Sequence, residues 1–294
     1  MSAAPSFADF LEAKFALDER SLNAEVRTAF LQGVNGSSQV RCLDVGTGTG
    51  ATLRRLLAWQ LSGSWQVTAL DREGALLDVA RAKYRAAFRT HPAPAAGAGI
   101  EVVFACCDFE RHRPAERYDA AVAHAFLDLA PLPQTLAHLH DWLQPGGYLY
   151  ASLNYDGETV FAPPYADPPL EAALLACYDE SMERRRVRGL ATGGAYCGRR
   201  LQALLPRHGF EVLAQGRSDW LLHPILDAYP DGDGTCLEFL LALMLKEGLA
   251  SGRFSVAALE RWHRDRLTLL RGHRLAARVR HLDFLARRRA PDSS

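Results

Sequence analysis

The stretch Cys42-Leu43-Asp44-Val45-Gly46-Thr47-Gly48-Thr49-Gly50 decides the fold of this 294-residue chain. The apolar run over 40–45 predicts a strand. It ends in a glycine-rich turn, and Leu53, Leu56 and Leu57 then share one face of a predicted helix. Strand, turn and helix in that order is the setting in which such glycines carry meaning. They let the backbone turn sharply and approach a ligand closely. The acid before them is placed to hold a cationic or hydroxylated part of that ligand. One reading is the dinucleotide fingerprint G-x-G-x-x-G, with Ala51 at its last position, which would make the chain an NAD(P)-dependent oxidoreductase. A second takes the pattern as it stands, Asp-x-Gly-x-Gly-x-Gly. A glycine turn with no ligand is the third.

The downstream segments favour the second. Trp65-Gln66-Val67-Thr68-Ala69-Leu70-Asp71 is another strand pattern ending in an acid. A third apolar run, 100–107, closes in Asp108-Phe109. Tyr118-Asp119-Ala120-Ala121-Val122-Ala123-His124 reads as a fourth strand. Leu143-Gln144-Pro145-Gly146-Gly147-Tyr148-Leu149-Tyr150 reads as a turn into a fifth. In this order, over residues 40–218, the segments resemble the class I methyltransferases that use S-adenosyl-L-methionine, whose first motif is [DE]-x-G-x-G-x-G.

The resemblance implies an α/β fold with a seven-stranded, mostly parallel sheet, helices on both faces and a reversed C-terminal hairpin. It implies that Asp71 accepts from both ribose hydroxyls, which suits a carboxylate because it only accepts. Asp108 would accept from the adenine amino group, with Phe109 along the ring. Asp44, Gly46, Thr47, Gly48, Gly50, Arg72 and His124 complete the implied cofactor surroundings. A relative that binds cofactor without turning it over is the alternative from another class.

Composition narrows the partners. Lys+Arg and Asp+Glu are 34 each, so the formal net charge is zero and no global field gathers nucleic acid. DNA is therefore not an expected partner. The six cysteines show no C-x-x-C and no Cys/His set at zinc spacing, so no metal is expected. Reduced, buried thiols fit a cytoplasmic location. Charged residues at 9, 12 and 14 argue against a signal peptide, and no apolar run approaches 18 residues, so no membrane partner is expected.

Three segments flank the predicted core. Residues 1–36 read as a helical cap, with helix over 6–34. Its string Lys14, Asp18, Arg20, Asn23 resembles the cap of some small-molecule methyltransferases, with a solvated helix face as the alternative. The core is expected over 37–225, with a Pro/Ala/Gly loop at 91–99 and a lid-like insertion at 155–194. The insertion carries a helix over 170–188, the sixth strand is expected at 210–213 and the seventh at 218–222. Residues 226–294 read as a helical extension, with Leu275, Val279, Leu282 and Leu285 on its third helix. That extension could cap the pocket or form a homodimer surface.

In an open parallel sheet, ligands bind beyond the carboxyl ends of the strands. That rule gathers Asp44, Asp71, Asp108, His124 and Asn154. Methyl transfer is an in-line displacement for which the cofactor brings electrophile and leaving group. The protein aligns the acceptor, excludes water and, for some acceptors, removes a proton. His124 is the candidate base, with Asp128 to orient it. Tyr155 and Asp156 follow the fifth strand and are candidate substrate contacts, Tyr155 among the candidate catalytic residues, with a turn at Asp156-Gly157 as the alternative. Tyr196, Trp220 and His223 are candidate walls, and the arginines at 184–188 candidate clamps; core packing and solvated faces are their alternatives. Pro163-Pro164-Tyr165 lacks the polar residue that precedes it in amino-methylating DNA enzymes. The expected partner is a small-molecule methyl acceptor, methylated on oxygen or nitrogen.

Overall fold

The computed structural model describes residues 6–59, 61–90 and 99–290, so all of the 91–99 loop but Gly99 lies outside the described residues. In chain order the strands are β1 Gln39–Val45, β2 Ser64–Asp71, β3 Gly99–Cys106, β4 Tyr118–His124, β5 Leu143–Ala162, β6 Arg186–Val187, β7 Leu190–Ala191, β8 Phe210–Arg217, β9 Trp220–Leu222 and β10 Ala276–Arg288. The helices are α1 Phe7–Ser21, α2 Ala24–Val34, α3 Ala51–Ala58, α4 Gly74–Thr90, α5 Leu132–Trp142, α6 Pro168–Glu183, α7 Cys197–Arg207, α8 Asp233–Ser251 and α9 Val256–Arg271. The sheet runs β3-β2-β1-β4-β5-β10-β8, with β9 paired to β10. β1 to β5 are parallel, and β10 is antiparallel to its neighbours β5, β8 and β9.

Side chains alternate across a strand, and both faces of this sheet are covered. Val40 and Cys42 join Val26 and Phe30 of α2 and Leu53 of α3 in one core. Leu43 and Val45 join Leu136 of α5 and Leu201 of α7 in another. Burial on both faces is why the strands read as nearly continuous apolar runs. At the N-terminus the expected single helix is two. The first ends at Ser21, and Asn23 caps the second, accepting from the Val26 amide at 3.0 Å.

The C-terminal third departs from expectation. The segment around Leu275, Val279, Leu282 and Leu285 is a strand, β10, and not a helix. It lies between β5 and β8, so it is the reversed strand of the sheet; the expected seventh strand near 218–222 is only the short β9 on its flank. Spacings of three and four residues fit a helix, yet Ala277, Val279, His281 and Asp283 also alternate inward. Among the described residues, the extension expected over 226–294 is helical over α8 and α9 alone.

β5 does not end at Asn154. It continues to Ala162, and its second half forms a long antiparallel arm with β10. Around this arm Leu17 of α1, Tyr155 and Phe161 of β5, Leu174 of α6, Leu241 of α8 and Trp262 of α9 share a third core. The three flanking segments thus pack as one body with the arm. At its centre Glu171 receives Trp262 Nε1 at 2.9 Å and Arg266 Nε at 2.8 Å, while Arg266 Nη1 donates to the Pro163 carbonyl at 2.7 Å. Pro163-Pro164-Tyr165 belongs to this packing, with Tyr165 bonded to Asp265 at 3.1 Å.

Candidate active site

The glycine turn sits at the carboxyl ends of β1 and β2. Gly46 (φ +65°) and Gly48 (φ +54°) hold left-handed conformations that a side chain disfavours, and a Cβ on Gly46 would stand 2.5 Å from the Phe126 ring. Asp71 closes the turn. Its Oδ2 accepts from the Gly48 amide at 2.9 Å and its Oδ1 from the Glu73 amide at 2.9 Å. Asp44 is buried; Oδ2 accepts from the Thr47 hydroxyl, and Oδ1 has no partner. Burial raises its pKa to about 6, against the pull of Thr47, Thr52 and Arg55. Gly50 ends the turn at φ +84° and precedes α3. Arg72 is exposed and pairs with its neighbour Glu73 at 3.3 Å.

Asp108 lies just past β3 and caps the short turn Phe109–Arg111, accepting from the Glu110 amide at 3.1 Å. Phe109 packs on Trp142 with ring centres 4.9 Å apart. Arg188, at the tip of the β6–β7 hairpin, reaches across to Asp108 at 2.9 Å and Glu110 at 2.5 Å. One of the expected clamp arginines therefore touches Asp108.

His124 is at the rim, but its surroundings differ from those expected. Nδ1 is 2.9 Å from the Ser152 hydroxyl and Nε2 is 3.0 Å from Asp18 Oδ2. Asp128 is not a partner. The imidazole is oriented by α1, which sequence spacing could not reveal across a separation of 106 residues. Burial, then Arg55, lowers the His124 pKa to about 3, against Asp18. In this setting the imidazole is a hydrogen-bonding link from β4 to Ser152 of β5 and Asp18 of α1. Asp18 also takes Lys14 Nζ at 2.6 Å and Trp220 Nε1 at 3.0 Å. Burial pushes its pKa up, but Lys14 and His124 outweigh it and hold it low.

The remaining candidates fall elsewhere. Tyr155 is buried in the third core, with its hydroxyl on Asp179 at 2.8 Å, and burial followed by Asp179 drives its pKa up. Asn154 is fully buried and donates to the Leu282 carbonyl at 2.9 Å. Both leave the rim because β10 pairs along this part of β5. Asp156 pairs with Arg199 at 2.9 Å, and Tyr196 lies 4.8 Å beneath that guanidinium. His223 is exposed and bonds the Pro224 carbonyl at 3.2 Å. Sequence reasoning missed Ser152, Arg55 and Asp283. The available signal for Asp283 was an acid inside an apolar run; it accepts the Leu153 amide at 2.7 Å and the Asn23 amide at 2.9 Å.

Several of these groups make stability depend on pH. Burial lowers His281 to about 4 and His124 to about 3, both from 6.5. Each binds fewer protons folded than unfolded, so its contribution is intact above about pH 6.5 and drains away on acidification. Asp44 and Asp283, raised by burial to about 6, run the other way: their contribution is complete below 3.8 and is lost as pH rises through 6. His281→Gln is expected to flatten the acid limb of a stability curve between pH 6.5 and 4. An unchanged limb would remove His281 from the account.

Sheet order and glycine turn define an α/β domain with acids at the carboxyl edge of its sheet. Residues 42–147 match the family described as methyltransferase domain. Among curated proteins no sequence matches the chain. Among solved structures, a candidate methyltransferase from Bacillus halodurans C-125 shares the fold at 14% identity and a TM-score of 0.53, covering 89% of this chain and 98% of its own. A S-adenosylmethionine-dependent methyltransferase from Thiobacillus denitrificans, solved with S-adenosyl-L-homocysteine, aligns at 16% identity over 94% of this chain and 98% of its own, TM-score 0.49. The chain has the class I methyltransferase fold with a methyltransferase domain over residues 42–147, and S-adenosyl-L-methionine is the methyl donor that this domain implies. The site fits that group: a buried, unpartnered carboxylate oxygen on Asp44 suits a cation, and each Asp71 oxygen keeps a lone pair beyond its one backbone bond.

Among the described residues no helix is long and apolar enough to cross a membrane. Nor, among them, does any group of three or more His, Cys, Asp or Glu stand ready to hold a metal.

Proposed function

We propose that this methyltransferase acts on an oxygen or nitrogen of a small molecule enclosed between the sheet rim and the body formed by α1, α6, α8 and α9. The observation that carries this reading is the third core, in which segments from both ends of the chain and the insertion pack together beside the rim. α1 also leans on the glycine turn, where Leu11 lies 3.4 Å from the Cβ position of Gly48, and Glu12 pairs with Arg54 at 3.3 Å and Lys83 at 3.1 Å. Such a cover suits a small ligand, buried on most of its surface, better than a polymer. The zero formal net charge points the same way.

In this reading Asp44, Gly46, Thr47, Gly48 and Gly50 hold the amino-acid side of the cofactor, Asp71 the ribose, and Asp108 with Phe109 the adenine. The bound cofactor supplies a methyl group on a sulfonium, with its own leaving group. The chain's part is to align the acceptor and exclude water. His124 serves by seating α1 through Asp18. His124→Asn is therefore expected to weaken S-adenosyl-L-homocysteine binding and to speed hydrogen exchange in α1. A drop in kcat of about 10²–10⁴ with unchanged cofactor affinity and exchange would return it to the general-base role.

The acceptor class is tested by labelled-methyl transfer into a fractionated metabolite extract beside tRNA and protein fractions. Label in the small-molecule fraction is expected; label confined to macromolecules would sink the proposal.

A further inference from the structure

The β6–β7 hairpin is the part of the insertion that reaches Asp108. Its strands are two residues each, with Val187 opposite Leu190, so Arg188 and Gly189 form the turn. Both hold left-handed backbone, at φ +52° and +81°. Two-residue hairpin turns with this backbone favour Asn-Gly, and a long side chain at the first position works against it. Arginine stands there nonetheless, and its side chain is the one that leaves the hairpin.

The two ends of the hairpin are fastened differently. At the base the Gly193 amide donates to the Ala130 carbonyl at 2.9 Å. Arg200 Nη1 donates to the Gly193 carbonyl at 2.7 Å, and Arg200 Nη2 meets Glu183 Oε2 at 2.6 Å. The fit is close, because a Cβ on Gly193 would stand 3.0 Å from the Asp128 Cα. At the tip, among the described residues, the hydrogen bonds and ion pairs from 187–190 to other elements are those of Arg188, to Asp108 and Glu110. The side chains of Arg188 and Asp108 are 46% and 41% exposed. Ion pairs at that exposure are weak and screened by salt.

Base and tip also stand on different strands. The base rests on the segment that follows β4, and the tip on the one that follows β3. Between those two strands in the sheet lie β1, which leads into the glycine turn, and β2, which carries Asp71. Phe126 and Phe109, one from each segment, have ring centres 5.7 Å apart. The hairpin thus bridges one side of the mouth above the glycine turn, firm at one end and loosely held at the other.

We propose that this hairpin is a strap latched by Arg188 onto Asp108 and Glu110, and that the latch must open for the adenosyl cofactor to enter or leave. The inference rests on the assignment of the adenine to Asp108 and Phe109 above, and adds how the cofactor comes and goes. The latch re-forms over the bound cofactor, because the Asp108 oxygens keep further lone pairs beside the bonds from Arg188 and the Glu110 amide. It therefore sets the rates of exchange and not the affinity.

The test is surface plasmon resonance on the full chain with S-adenosyl-L-homocysteine, which reads association and dissociation separately. Arg188→Gln is expected to raise both rate constants by roughly 2- to 30-fold, the fold-change that two exposed ion pairs represent, with Kd held within about twofold. Glu110→Gln leaves Asp108 intact and is expected to raise both by a smaller factor. Added salt is expected to speed both steps in the wild type and to leave Arg188→Gln nearly unchanged. Rate constants in Arg188→Gln that match the wild type overturn the inference. So does a change in one rate constant without the other, which would make Arg188 a contact of the ligand and not a latch. A wild type that does not bind S-adenosyl-L-homocysteine fails the cofactor assignment and the strap with it, a result distinct from binding with unaltered rates.

Discussion

Asp71→Ala is expected to weaken S-adenosyl-L-homocysteine binding by on the order of a hundredfold, the upper part of what hydrogen bonds to a charged group contribute. The carboxylate does two things at once. Its oxygens fix the glycine turn through the Gly48 and Glu73 amides, each at 2.9 Å, and each oxygen keeps a lone pair for the ribose hydroxyls. Alanine removes both the ligand's acceptors and the turn's anchor. Asp71→Asn keeps the shape and one acceptor, so it is expected to fall between. Methylthioadenosine, which carries the same ribose without the amino-acid end, is expected to lose about as much. Calorimetry reads the affinities, and a melting curve checks that the sheet stays folded. An Asp71→Ala protein that binds within about threefold of the wild type would remove Asp71 from ribose recognition.

Glu171→Leu is expected to cost about 3–5 kcal/mol of stability, the range for leaving one member of a buried ion pair alone. Arg266 is fully buried, and Glu171 takes its Nη2 at 2.5 and 2.6 Å on the two oxygens as well as its Nε. Without the carboxylate, a guanidinium and the Trp262 N–H remain in an apolar core. Removing both charges, as Glu171→Leu with Arg266→Met, is expected to recover most of the loss, because the desolvation penalty goes with them. Urea denaturation of the three variants reads this directly. A single-variant loss below about 1 kcal/mol would mean that the pair is hydrated and not dry. The same core joins α6, α8 and α9 to the arm, so the single variant is also expected to loosen the cover over the rim.

The first five strands and their order were legible because each is a local pattern with a terminator. Val40 to Val45 ends in Gly46, 64–71 ends in an acid, and the fourth strand ends at His124. The candidate cofactor residues were legible for the same reason: they follow directly on those strands. The acceptor side was not. Tyr155 and Asn154 stand at a strand end if the fifth strand stops at Asn154, but β5 runs on to Ala162 because β10, more than a hundred residues later, pairs with it. Asp128 is four residues from His124, yet the partner of His124 is Asp18.

By itself the sequence determined the βα alternation, the glycine turn and the acids at the strand ends, because these depend on side-chain period and backbone conformation within a few residues. The tertiary structure alone decided which strand is reversed, that the three flanking segments make one core, and which buried polar groups face each other. The physical reason is that these outcomes turn on pairing between distant segments. β10 carries apolar spacing compatible with helix or strand, and only the open edge of β5 and the edge of β8 settle it. Nothing in the sequence marks Arg55, and only the helix α1 laid over it makes it a buried cation held against Glu19 and Asp18.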